Sequence, residues 1–170
     1  TRKESSAASD VYKRQLEDPT FVLAKHWEQC EQELRKHPAL DEIDRVRFLR
    51  GVSLLVSSTT GPSRGHRGDV LNLALEDYLW ASRELVAAFD RTARFLAERC
   101  IFTVDQVPYS HQLVPLAVIL ARLNRDTAGL SCDEQTTTDR VNQWFWCGVF
   151  GELYGAHAPS IRAGIDAVSY

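Results

Sequence analysis

Along this 170-residue chain, apolar residues recur every three or four positions, the spacing that lines one face of an α-helix. Asp18-Pro19 predicts a helix start, with an N-cap followed by a proline at the first helical position. Leu23, Trp27, Cys30 and Leu34 then form one face, Glu31 and Arg35 pair on the solvent side, and His37-Pro38 ends the element. Asp41 is placed to cap a second helix whose inward positions are Ile43, Val46, Leu49, Val52 and Val56. Residues 59–68, with three glycines and a proline among polar neighbours, predict a loop. A long third helix over residues 75–100 carries an inward stripe of Tyr78, Ser82, Leu85, Phe89, Ala93, Leu96 and Cys100. Residues 101–104 predict a short extended link.

Two later stretches, residues 107–123 and 144–155, are apolar on nearly every side. Ser110 is placed to cap the first, where Pro115 is tolerated because it falls near the first turn. The second predicts a helix over residues 139–154, with Gly155 placed to end it, after a polar linker over residues 124–138. Ser160 is placed to cap a last short helix. An all-apolar helix needs neighbours all round. The expected fold is therefore all-α, with about five to six helices packed around two buried apolar ones. No strand-like alternation and no internal repeat stand out.

Residues 5–15, Ser-Ser-Ala-Ala-Ser-Asp-Val-Tyr-Lys-Arg-Gln, read like one frame of a transposase-type sequencing adapter. Residues 1–15 are thus expected to be an assembly artefact and residues 16–170 a helical fragment of a larger protein, continuing past Tyr170. Without Arg2, Lys3, Lys13, Arg14, Glu4 and Asp10, 16 basic residues face 21 acidic ones, a net charge of −5. That balance argues against a broad nucleic-acid-binding surface. Hydrophobic residues make up 44% and charged residues 25%, an ordinary globular composition. No apolar run approaches the roughly 18–20 residues that span a bilayer, and no secretory pattern opens the chain. Cys30, Cys100, Cys132 and Cys147 lack metal-site spacing, so reduced thiols in a cytoplasmic protein are expected.

Candidate chemistry is sparse. His26 and Cys30, one turn apart, form half of a metal site without further ligands. Cys147 with His157 has the residue types of a nucleophile and base, but its Trp- and Phe-rich surroundings predict a buried, poorly ionised thiol. Arg64, His66 and Arg67 sit in the glycine-containing loop, and Arg45, Arg47 and Arg50 cluster on the second helix. Gly148 and Gly151 are spaced to admit another helix closely. Tyr109, Ser110, His111 and Gln112 gather polar groups where a buried helix begins, a place suited to an anion. Arg67, Tyr109, Ser110 and Gln112 are the candidate nucleotide- or DNA-contact residues. No catalytic or metal-ligating set is assigned.

Several segments together resemble the helical part of the GmrSD-type restriction domain, found in bacterial defence proteins. They are His26-Trp-Glu-Gln-Cys-Glu31, Arg47-Phe-Leu49, Arg67-Gly-Asp-Val-Leu71 with the long helix after it, Pro108-Tyr-Ser-His-Gln-Leu-Val-Pro-Leu-Ala117 and Trp144-Phe-Trp-Cys-Gly-Val-Phe-Gly-Glu-Leu-Tyr-Gly155. The resemblance covers about residues 16–160. It implies a parent protein whose preceding ParB-like part carries an Asp-Gly-Gln-Gln-Arg motif tied to hydrolysis of GTP or ATP with Mg. Many relatives also carry an HNH-type nuclease domain. Neither motif is in this sequence, so no cofactor is expected in the fragment itself. Its expected partners are the ParB-like part and, through the parent, foreign or modified DNA, with no membrane involved. A helical interaction or regulatory scaffold without nuclease coupling is the alternative.

Overall fold

The computed structural model of the protein describes residues 21–60, 73–126, 134–152 and 154. Among them are five α-helices and no strand, so the chain is all-α. Asp18-Pro19, the loop residues after Thr60, Gly155 and the Ser160 cap lie outside the described residues.

Helix α1, Leu23–Leu34, buries Trp27, Cys30 and Leu34, the stripe expected from their spacing. The chain then turns through a 3-10 segment, Pro38–Leu40. Helix α2, Arg45–Thr60, starts later than expected. Its cap is Asp44, whose Oδ1 accepts the Arg47 N–H at 2.7 Å, while Asp41 lies 3.6 Å from Arg35 instead. The inner face overlaps the expected one: Ile43 and Val52 are fully buried and Leu49 and Val56 pack half-buried against the core, but Phe48 and Leu55 are also fully buried and Val46 is 52% exposed. Ile43, from which the expected stripe was counted, precedes the first helical turn. Val46, counted on from it, therefore falls off the inner face.

Helix α3, Leu75–Ala97, is the longest, 23 residues and about 34 Å. Its stripe from Tyr78 to Leu96 is buried as expected. Cys100 leaves the stripe: it is exposed and has φ 60. The Ile101 N–H reaches the Leu96 carbonyl at 3.0 Å and the Cys100 N–H reaches that of Ala97 at 2.9 Å. This is a Schellman ending, with Cys100 in the left-handed position usually given to glycine and Ile101 buried behind it. Residues 101–104 are not simply extended. Gln106 Oε1 accepts the N–H groups of Phe102 and Thr103 at 2.7 and 3.1 Å, folding Val104–Gln106 into a 3-10 turn.

Helix α4, Leu113–Asp126, follows directly from another 3-10 turn, Ser110–Gln112. Leu113, Val114, Leu116, Ala117, Val118, Ile119 and Ala121 are all buried, so the first apolar stretch is core as expected. Pro115 is the third helical residue, where no intrahelical N–H bond is lost. At the meeting of α2, α3 and α4, Gly51 faces Leu85 and Val114; a Cβ there would lie 2.8 Å from Leu85 Cδ2.

Helix α5, Glu134–Phe150, begins inside the interval expected to be linker. Val141 and Phe145 are buried, and the Phe145 ring meets Phe95 of α3 edge-on at 5.5 Å. The second apolar stretch is not surrounded as its composition suggested. Trp144, Trp146 and Val149 are half-buried, Cys147 is exposed and Phe150 is 80% exposed. Helix α5 lies against its neighbours on one face, and apolar character alone does not supply a second. Glu152, at φ 52, turns the chain, and the Tyr154 ring returns to within 6.1 Å of Trp144.

Candidate functional site

The polar group at the start of α4 divides into two parts. Ser110 does not cap: no side-chain cap bond forms, because the 3-10 turn starts from Tyr109 and continues into α4. Its hydroxyl instead meets Arg47 Nη1 at 3.4 Å, and Arg47 also binds the Glu42 carboxylate at 2.9 Å. The Ser110 hydroxyl and then Arg47 hold the Glu42 carboxyl below the usual carboxylate range. Arg47, half-buried by this arrangement, joins the start of α2 to the start of α4, and Tyr109 is half-buried beside it in sequence. His111 is exposed and adds positive potential at Glu42.

Gln112 faces the other way. Its side chain is fully buried, and Nε2 donates to the Phe145 carbonyl of α5 at 3.0 Å, while Oε1 is buried without a partner. A Cβ on Gly148 would lie 2.6 Å from Gln112 Nε2 and 3.0 Å from Tyr154. The expected close approach at Gly148 is therefore made by a carboxamide and an aromatic ring. Of the four candidate contact residues, Tyr109 and Ser110 stand at the surface, Gln112 lies inside, and Arg67 is outside the described residues. Closeness in sequence hides this division, because two steps of a 3-10 turn, about 120° each, carry Ser110 and Gln112 to different sides.

His26 Nδ1 lies 3.0 Å from the Tyr78 hydroxyl and 3.6 Å from Cys30 Sγ. Burial lowers the His26 pKa and raises that of the Cys30 thiol to about 11. Both shifts favour neutral groups, as expected of a hydrogen-bonded packing cluster rather than a nucleophile. Among the described residues, no group of three or more His, Cys, Asp or Glu side chains is placed to hold a metal ion. Cys147, expected inside, is exposed, and its proposed base His157 lies outside the described residues.

One cleft of about 330 Å³ was not anticipated from sequence. It has an apolar floor including Leu34 and Phe89, and a rim including Lys36, Arg83 and the pair His37–Asp90 at 3.2 Å. Asp90 also binds Arg94 at 2.6 Å, the i,i+4 pair legible in the sequence. The approach of His37 to Asp90 depends on the turn after α1 and carries no periodic signal.

Among the described residues no helix is long and apolar enough to cross a membrane. No family model, no curated protein and no solved structure matches the chain.

Proposed function

We propose that this chain is the helical supporting part of an NTP-dependent protein of the GmrSD type that restricts foreign or modified DNA. The observation that carries the proposal is that segments bearing the resemblance pack together. Trp27 meets Phe48 at 5.2 Å, Phe48 stacks on Phe89 at 6.4 Å, and Pro108 to Ala117 leads into the buried face of α4. The segment 144–155 joins them through Phe145 and the Gln112 bond.

Among the described residues Ser110, Arg47 and Glu42 satisfy one another. In this reading a nucleotide would be held mainly by the ParB-like part, with Tyr109 and Ser110 as this chain's contribution at the shared edge; Arg67, a further candidate contact, lies outside the described residues. Gln112 would act only from behind that edge, by fixing α5 to α4.

The test is to obtain the reading frame upstream of Leu16, express the extended protein and measure GTP and ATP turnover. The expected result is an upstream Asp-Gly-Gln-Gln-Arg segment, with turnover by the extended protein and none by the present chain. An intact upstream region without that segment would overturn the proposal. So would turnover by the present chain that is lost on changing Arg67 or Gln112. The stacked Trp146 and Phe150 rings on the outer side of α5, 5.7 Å apart, favour the second reading, an interaction scaffold without nuclease coupling. An upstream region lacking the motif would select it.

A further inference from the structure

We infer that α5 is a releasable strap, opening as a unit while α1 to α4 stay folded, with the Gln112 carboxamide as its latch. The attachment of α5 rests on few fully buried groups, with Trp144, Trp146 and Val149 packing half-buried against the core. The inner face of α5 offers Val141 and Phe145 as its buried large side chains, with Gly148 between them and the turn. Helix α3, by contrast, buries eleven side chains along its length. Local opening free energies follow the apolar surface an element must expose, so α5 belongs at the low end.

The polar attachments also favour a reversible contact. Gln112 Nε2 holds the Phe145 carbonyl, while its Oε1 is buried with no acceptor role filled. Orphaned buried oxygens are uncommon because desolvation is not offset. Opening returns this oxygen to water and so recovers part of what is lost. A further tie, Asn142 to Arg99, leaves Arg99 its bonds to the Phe95 carbonyl and to Glu98 after release. The outer side of α5 is mixed, with Asp139, Arg140 and Gln143 exposed along it and Phe150 80% exposed at its end. Release would uncover Phe95, Arg99 and Gln112 as one new surface.

Hydrogen exchange of the whole chain, read by peptide mass spectrometry, tests this. Amides of α5 are expected to exchange at least tenfold faster than those of the middle of α3 and of α4, together and with one denaturant dependence. Gly148→Ala, which places a methyl against the latch, is expected to raise α5 exchange by a further factor on the order of tenfold, leaving α3 and α4 unchanged. Gln112→Leu, which removes the latch donor without adding volume at Gly148, is expected to move α5 alone as well. Protection of α5 equal to that of α3 would overturn the inference. So would either variant accelerating exchange in all helices alike, because α5 would then belong to the global folding unit.

Discussion

Replacing Gly51 by alanine sets two opposed effects against each other at one methyl group. In a helix interior, alanine is favoured over glycine by about 1 kcal/mol. The added Cβ, however, would lie 2.8 Å from Leu85 Cδ2 and 3.2 Å from Val114 Cγ1, against an ordinary carbon contact of about 3.5–4.0 Å. Leu85 is fully buried and Val114 is 3% exposed, so neither can swing into solvent. Val114 is also β-branched and stiff at χ1. Overpacking of this kind costs about 1–3 kcal/mol, and we expect it to exceed the helical gain. The net loss is then about 1 kcal/mol, seen as a fall in melting temperature of about 2–4 °C for a chain of this size. Circular dichroism melts of four proteins decide the matter: the parent, G51A, L85A and the double variant. Leu85→Ala alone costs about 2–5 kcal/mol. In its background the closest clash is gone, so G51A is expected to turn stabilising by up to about 1 kcal/mol. A rise in melting temperature for G51A in the parent, or the same effect in both backgrounds, would refute the reasoning.

Other consequences can be measured on the same protein. Cys100→Gly relieves a left-handed non-glycine residue and is expected to raise stability by about 0.5–1 kcal/mol, read by urea denaturation. Gln112→Glu puts a charge where the side chain is fully buried and is expected to cost about 3 kcal/mol or more near pH 7, with partial recovery in acid as the carboxyl protonates. Burial raises the Tyr154 phenol to about 12, so the stability linked to it is intact below about pH 10 and lost as pH rises through 12; ultraviolet tyrosinate absorbance against unfolding curves measures this. Among the described cysteines, exposed Cys100 and Cys147 are expected to react promptly with a thiol reagent, and Cys30, buried with its thiol raised to about 11, only on unfolding.

The sequence and the structure agree where periodic spacing and close-range chemistry decide the outcome. The stripes of α1 and α3 and the burial of α4 are of this kind, since an apolar helix near the middle of the chain finds cover from both sides. Disagreement comes where an outcome depends on a partner distant in sequence. Ser110 looked like a cap because it precedes a helix, yet its hydroxyl was drawn to Arg47, 63 positions away. Gln112 was grouped with Tyr109, Ser110 and His111 as one polar cluster at the start of a buried helix, yet its partner is the Phe145 carbonyl, 33 positions on. Cys147 was expected inside because of its Trp and Phe neighbours, but those rings project around the helix while the thiol faces out.

Arg99 shows how little latitude one side chain can have. Its guanidinium carbon lies 3.3 Å from the centre of the Phe95 ring, Nε donates to Asn142 Oδ1 at 2.7 Å, and Nη1 reaches the Phe95 carbonyl. Only a flat, forked cation can cover a ring with its face while its edge serves two acceptors. A lysine there would keep the positive charge beside the α3 terminus and lose both the stacking and the fork. At this position planarity matters more than charge, so the nominally mild arginine-to-lysine exchange would loosen the joint between α3 and α5.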